Sequence, residues 1–243
     1  MSRNLSIVIP AYNEEQRLPR TVQHLYNLIQ EKSLQWTIQE VLVIDDGSRD
    51  GTAAWVEAYQ KHWPLLKVIR QPVNRGKGAA VHTGMRASEA DWILVADADM
   101  ATPWLEMNKF SGICSDYDLI MGSRALGQSE ILVRQHWLRQ NMGKTFNRIM
   151  KGIVGLPFRD TQCGFKLVRN DSLFKEKILP KLKVERFAWD VELLLYLRAS
   201  ARRLLEFPVQ WSHQEASHVR IVRDSLEMLW TVLKLRIRIK KDR

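Results

Sequence analysis

The sequence is poor in the residues and runs that mark the commoner site chemistries. Cys114 and Cys163 are its only cysteines, which leaves no disulfide framework and no cysteine-built metal site. The six histidines are scattered and form no ligand-spaced pair of the His-Glu-x-x-His kind. No apolar run approaches the roughly 18 to 20 residues that span a bilayer. The run at residues 5–11 is too short for a secretory leader and passes directly into Tyr-Asn-Glu-Glu. A reducing cytoplasm is therefore the expected compartment. Two glycine patterns are also missing. The turn Pro10-Ala-Tyr-Asn-Glu-Glu lacks the Gly-x-Gly-x-x-Gly of a dinucleotide fold, and Asn74-Arg-Gly-Lys-Gly-Ala lacks the spacing and terminal Ser/Thr of a Walker A loop.

What remains is ordinary in amount and uneven in placement. A chain of 243 residues, 45% hydrophobic and 26% charged, buries a full core as one domain or one with an appendage. Residues 1–130 hold 13 Lys+Arg against 16 Asp+Glu, net −3, which leaves 24 against 11, net +13, for residues 131–243. The halves face different partners. A basic surface of that size suits nucleic acid, an anionic membrane or a phosphorylated acceptor.

In the first half, short apolar runs alternate with amphipathic segments. Strands are expected at 5–10, 40–45, 66–70, 92–96 and 118–122, and helices at 16–31, 52–62 and 77–88. That rhythm predicts an α/β fold with a mostly parallel central sheet and helices on both faces. Polar groups then gather at the C-terminal ends of successive strands: Pro10, Tyr12 and Glu14; Asp45 and Asp46; Lys77; Asp97 and Asp99. Such ends converge on one crevice. An aromatic face, carboxylates for base and ribose, a lysine for phosphate and a carboxylate pair for Mg²⁺ or Mn²⁺ describe a nucleotide-diphosphate site.

An ordered set of motifs runs along nearly the whole chain: Val8-Ile-Pro-Ala-Tyr-Asn-Glu-Glu, Val43-Ile-Asp-Asp-Gly-Ser-Arg-Asp-Gly-Thr, Asn74-Arg-Gly-Lys-Gly-Ala, Val95-Ala-Asp-Ala-Asp, Gly122-Ser-Arg and Asp160-Thr-Gln-Cys-Gly-Phe-Lys. With them the chain resembles the family-2 glycosyltransferases of the GT-A fold, and within these the polyprenyl- and dolichyl-phosphate glucosyl- and mannosyltransferases. The last block is most like the glucosyl branch. The Gln-x-x-Arg-Trp motif of processive members is missing.

The resemblance implies that Pro10, Ala11, Tyr12, Glu14, Asp45, Asp46, Lys77, Asp97 and Ala98 hold a nucleotide-diphospho-sugar donor. Asp97 and Asp99 would face a metal, Asp99 the more directly. It implies acceptor-phosphate contacts at Arg124, Arg139, Ser217 and Arg220, although Ser217 is followed by His218 where many members have Lys. If the acceptor is a hydroxyl, Asp160 or Asp190 would be the general base; a polyprenyl phosphate is already an anion and needs orientation by arginines. The expected reaction is inverting transfer of a hexose, glucose from UDP-glucose first and mannose from GDP-mannose second, with transfer to a saccharide hydroxyl as a further alternative. The resemblance leaves self-association as a homo-oligomer open.

The basic half offers a route to a lipid. Leu138, Met142, Phe146, Ile149, Met150 and Ile153 recur at helical spacing between Arg139, Lys144, Arg148 and Lys151. Val222, Leu226, Leu229, Trp230, Leu233 and Ile237 do so again before a basic terminus. Such helices lie in a membrane interface or in a core. The expected organisation is a catalytic domain over 1–221 with an amphipathic insertion at about 131–155, then a basic helix over 222–243. The expected location is the cytoplasmic face of the inner membrane, peripherally attached, with no transmembrane helix. Two rival classes give way: a nucleic-acid binder leaves the acidic crevice unexplained, and a nucleotidyltransferase would release pyrophosphate instead of a nucleoside diphosphate.

Overall fold

The computed structural model describes residues 4–133, 152–214 and 221–241. Arg139, Ser217, Arg220 and most of the expected helical insertion lie outside the described residues; residues 131–133 of that insertion belong to a strand.

The chain begins as a strand and helix alternation: β1 (Asn4–Ala11), α1 (Leu18–Gln30), β2 (Thr37–Asp45), α2 (Thr52–Gln60), β3 (Leu66–Arg70), α3 (Lys77–Ala87), β4 (Trp92–Val95), α4 (Glu106–Ser111) and β5 (Leu119–Ser123). Then come β6 (Glu130–Val133), β7 (Lys166–Arg169), α5 (Trp189–Ala199), β8 (Leu204–Pro208), β9 (Gln210–Ser212) and α6 (Ile221–Lys241). Seven strands form one sheet in the order β3-β2-β1-β4-β7-β5-β8, and β6 and β9 form a separate parallel pair. Within the large sheet only β7 runs antiparallel to its neighbours, β4 and β5.

Both faces of this sheet are covered, which is why its strands read as unbroken apolar runs. Side chains still alternate. Ile7 and Ile9 of β1 and Trp92 and Leu94 of β4 enter one core layer with Trp36, Trp104 and Phe110. Val8, Ile93 and Val95 enter the other, with Met85 of α3, Leu193 and Leu197 of α5, and Met228, Val232, Leu235 and Ile239 of α6. Helix α1 shows the local logic: Pro19 starts it, Leu18, Val22, Leu25 and Leu28 are buried at helical spacing, and each such side chain contributes about 1.5–3 kcal/mol. The buried stripe of α6 is offset from its second apolar face, where Trp230, Leu233 and Ile237 are exposed. Among the described residues no helix is long and apolar enough to cross a membrane.

Strand order reverses at β1. The connection to β2 and β3 leaves on one side and β4 lies on the other, so the C-terminal ends of β1 and β4 frame a crevice at the topological switch point.

Candidate active site

The loops leaving β1 and β2 are tied to each other by hydrogen bonds. The Asn13 N–H donates to Ser48 Oγ (2.9 Å), the Glu14 N–H to Thr52 Oγ1 (2.7 Å), and the Arg49 N–H to Asn13 Oδ1 (2.9 Å). Pro10, Tyr12 and Glu14 are half-buried on this rim, and Ala11, Asp45 and Asp46 are buried beneath it. The two adjacent aspartates have different surroundings. Asp45 accepts the Ser48 N–H at 3.1 Å. Asp46 accepts Asn74 Nδ2 (2.9 Å) and the N–H groups of Arg75 and Gly76 (both 2.8 Å), so it organises the glycine turn in front of α3.

That turn delivers Lys77, first residue of α3, to the carboxylate pair after β4. Lys77 Nζ lies 2.5 Å from Asp97 Oδ1. Gly164 leaves room for this carboxylate on the opposite side, since a Cβ there would stand 2.1 Å from an Asp97 oxygen and displace it. Burial pushes the Asp97 carboxyl up, but Lys77, helped by Lys166 and Arg124, outweighs it and holds the group below its ordinary range. Asp99 goes the other way, raised by burial and then by Asp97. Its oxygens meet the Ala101 N–H at 3.1 Å and, at 4.0 Å, Arg17, whose guanidinium is engaged with Glu14 at 2.5 and 2.7 Å. Ala98 is buried between them, its carbonyl accepting Thr21 Oγ1 of α1 at 2.7 Å. The pair therefore presents one compensated and one poorly compensated anion.

Beyond Asp97 lies a second charged layer built from β5, β7 and β8. Asp160 is buried and accepts four donors: Arg124 Nε (2.6 Å), Nη2 (2.8 Å) and N–H (3.0 Å), and the Gln162 N–H (3.2 Å). Burial raises its carboxyl, but Arg124 overrides this and brings it down to about 2. Glu206 of β8 braces the arrangement by accepting Ser123 Oγ (2.7 Å) and the N–H groups of Arg159 and Asp160 (both 2.8 Å). The Arg124 guanidinium carbon lies over the Trp211 ring, 5.4 Å from its centre. Asp190, at the start of α5, is also buried; one oxygen accepts the Val191 N–H (2.7 Å) and the other lies 4.0 Å from the fully buried Lys166. Burial leaves Asp190 above its usual range.

The structure thus gathers the candidate residues of β1, β2, α3 and β4 around one crevice, with Arg124 and Asp160 on its flank. Four contributors carry no role in the sequence reading. Lys166 closes the Asp-Thr-Gln-Cys-Gly-Phe-Lys block, Arg17 stands three residues after Glu14, and Glu206 is a lone acid in the apolar run Leu-Leu-Glu-Phe-Pro; each of these is a visible signal. Trp211, in a three-residue strand, gives none.

Comparison with known proteins agrees with this geometry. The model for Glycosyl transferase family 2 matches residues 6–173. The dolichyl-phosphate beta-glucosyltransferase of Dictyostelium discoideum is 32% identical over 245 residues, covering 96% of this chain and 74% of its own length. That of Homo sapiens is 32% identical over 248 residues, covering 98% of this chain and 76% of its own. Among solved structures, glucosyl-3-phosphoglycerate synthase from Mycobacterium tuberculosis in complex with Mn²⁺, UDP and glucosyl-3-phosphoglycerate superposes with a TM-score of 0.66 at 17% identity, over 96% of this chain and 80% of that one. A mannosyltransferase from Pyrobaculum calidifontis in complex with GDP-Man and Mn²⁺ gives 0.60 at 14% identity, over 98% and 74%. Motif order, crevice geometry and relatedness along almost the full chain place this glycosyltransferase in glycosyl transferase family 2.

Proposed function

We propose that the chain transfers glucose from UDP-glucose to the phosphate of a polyprenyl lipid such as dolichyl phosphate, with inversion at the anomeric carbon. The observation that carries this reading is Arg124: a guanidinium fixed by Asp160, packed over the Trp211 ring and still part-exposed, suits an anionic acceptor. The names of the relatives supply the glucosyl donor and the dolichyl acceptor.

In this reading Tyr12 and Asp45 flank the nucleoside, while Asp46 holds the glycine turn and acts only through it. Lys77 meets the diphosphate. Asp97 and Asp99 hold a divalent cation, Mg²⁺ or Mn²⁺. Their carboxylate oxygens, like those of a diphosphate, are the ligands such a cation would prefer. The poorly compensated Asp99 fits such an ion. When bound, the cation stabilises negative charge on the departing diphosphate. Arg124 orients an acceptor phosphate oxygen behind the anomeric carbon. The new bond joins that oxygen to the anomeric carbon, and the bond to UDP breaks with its electron pair leaving on UDP, so an α-linked donor gives a β-linked lipid. No proton needs to be taken up. Asp160, saturated by its four donors, is an anchor for Arg124 and not a base.

The lipid reaches the site at a membrane surface. Trp230 and Ile237 of α6 are 61% and 62% exposed, Leu132 of β6 is 61% exposed, and Lys234 lies 5.0 Å from the Trp230 ring centre. An exposed apolar stripe edged by basic residues suits an anionic bilayer face.

The test is incubation with Mn²⁺ or Mg²⁺, a polyprenyl phosphate and a panel of nucleotide sugars, followed by lipid extraction. A β-glucosyl lipid is expected. A mannosyl lipid from GDP-mannose would replace the donor, and transfer only to a saccharide hydroxyl would overturn the acceptor and return Asp190 to the role of base.

A further inference from the structure

Glu192, in the first turn of α5, is fully buried. One carboxylate oxygen accepts the N–H groups of Lys183 (2.9 Å) and Val184 (2.8 Å), and the other accepts the guanidinium of Arg238 from α6. Arg238 is seated in turn: Nε donates to the Tyr196 hydroxyl at 3.2 Å, Nη2 to the Lys181 carbonyl at 3.4 Å, and the Tyr196 ring centre lies 5.6 Å away. Burial pushes the Glu192 carboxyl up, and the two N–H groups and Arg238 oppose it, so the anion depends on these partners.

The segment clamped by Glu192 lies against the glycine turn. The Glu185 carbonyl accepts the Ala79 N–H at 2.8 Å. A Cβ on Gly78 would stand 2.2 Å from the Val184 carbonyl oxygen, and one on Gly76 2.7 Å from that of Glu185. Only glycine allows this approach, which fixes the first turn of α3, where Lys77 begins the helix.

We infer that Glu192 and Arg238 are positioning residues for the donor phosphates: by clamping residues 183–186 against the glycine turn, they set where Lys77 is held beside Asp97. This rests on the reading of Lys77 as the diphosphate contact. It makes the C-terminal helix part of the donor site's support, through a contact that a membrane-docking role does not require.

The test measures UDP binding with Mn²⁺, donor and acceptor KM, and thermal midpoint. Arg238→Met is expected to weaken UDP binding and raise donor KM about tenfold, with acceptor KM within about twofold and most of the loss restored in Arg238→Lys. Glu227→Gln, which breaks only the exposed ion pair between α6 and Arg186 (3.2 Å) and leaves the buried Glu192–Arg238 pair intact, should bind UDP within about twofold of the unaltered chain. The deciding measurement is the double variant. In a Lys77→Met background, Arg238→Met should cause no further loss of UDP affinity, whereas a purely structural clamp would cost the same again. If Arg238→Met alone is too unstable to purify, Glu192→Gln/Arg238→Met, which leaves no unpaired charge, serves in its place. Unchanged UDP affinity in the Arg238 variant, or an equal further loss in the Lys77→Met background, overturns the positioning role alone. Unchanged UDP binding by Lys77→Met overturns the donor-phosphate reading and this role with it.

Discussion

At the donor edge Asp97 and Asp99 share Lys77, with Arg17 at 4.0 Å from Asp99 and engaged with Glu14. On the acceptor flank the single carboxylate of Asp160 receives four donors. The Asp97 and Asp99 carboxylates are half-buried and that of Asp160 is buried, yet the first place leaves negative charge in excess and the second neutralises it. An anion left short of partners costs folding stability and gains affinity for a cation; a saturated anion contributes stability and fixes its partner's geometry. The β4 edge thus carries surplus negative charge, and the Asp160 flank holds a finished ion pair that fixes Arg124.

The largest effect tests the donor side of this contrast. Asp99→Ala should lower kcat on the order of 10³-fold and abolish Mn²⁺ binding seen by electron paramagnetic resonance, while the thermal midpoint holds or rises. Because the Asp99 carboxyl is raised in the folded state, its ionisation opposes folding above the ordinary carboxylate range, and removing it relieves that cost. A clear fall in midpoint would show that Asp99 is compensated after all.

Arg124→Met should act oppositely, destabilising by about 3 kcal/mol in denaturant unfolding because Asp160 stays buried without its cation. Adding Asp160→Asn should recover much of the stability and none of the activity. If the second change recovers nothing, the pair is not what holds β5 to the Asp160 turn.

A smaller effect appears in acid. With Asp160 at about 2 in the folded chain and about 3.9 when unfolded, roughly 2 kcal/mol of stability should be fully present above pH 4 and lost as pH falls towards 2. The slope of unfolding free energy with pH across that window should be shallower in Asp160→Asn. Equal slopes would remove Asp160 from the acid response.

Smallest is the surface of α6. Trp230→Ser with Ile237→Ser should reduce partition onto anionic vesicles about tenfold and shift stability by less than about 0.5 kcal/mol, since both side chains are exposed. Vesicle binding equal to that of the unaltered chain would free this face from any lipid role.

How far these features were legible depends on whether they are local. Strands 66–70 and 92–96 are found within a residue of their expected ends, because apolar runs bounded by polar turns need only their own sequence. The positions of Asp45, Asp97 and Asp99 are legible for the same reason, each lying at or just after a strand end. Helix α6 was half legible: helical spacing located it, but two apolar stripes share one helix, and only packing on α5 decides that Met228, Val232, Leu235 and Ile239 go inward. Strand β7 was not legible, as its four residues sit within a motif and their placement depends on β4 and β5, far away in sequence. Glu206 and Arg238 act through partners 46 residues away in each case, and no local pattern encodes that distance.

The position of β7 also bears on how the chain is made. It fills the gap between β4 and β5, yet it is synthesised after both. A growing chain that has just passed Ser123 holds β3, β2, β1 and β4 with the outer edge of Trp92-Ile-Leu-Val bare, and β5 has no neighbour in the sheet until residues 166–169 emerge. A bare apolar edge recruits other strands, and domains assemble as the ribosome releases them. Chains cut short between residues 123 and 166 therefore lose solubility along with catalysis, because the strand that seals the sheet is the one they lack.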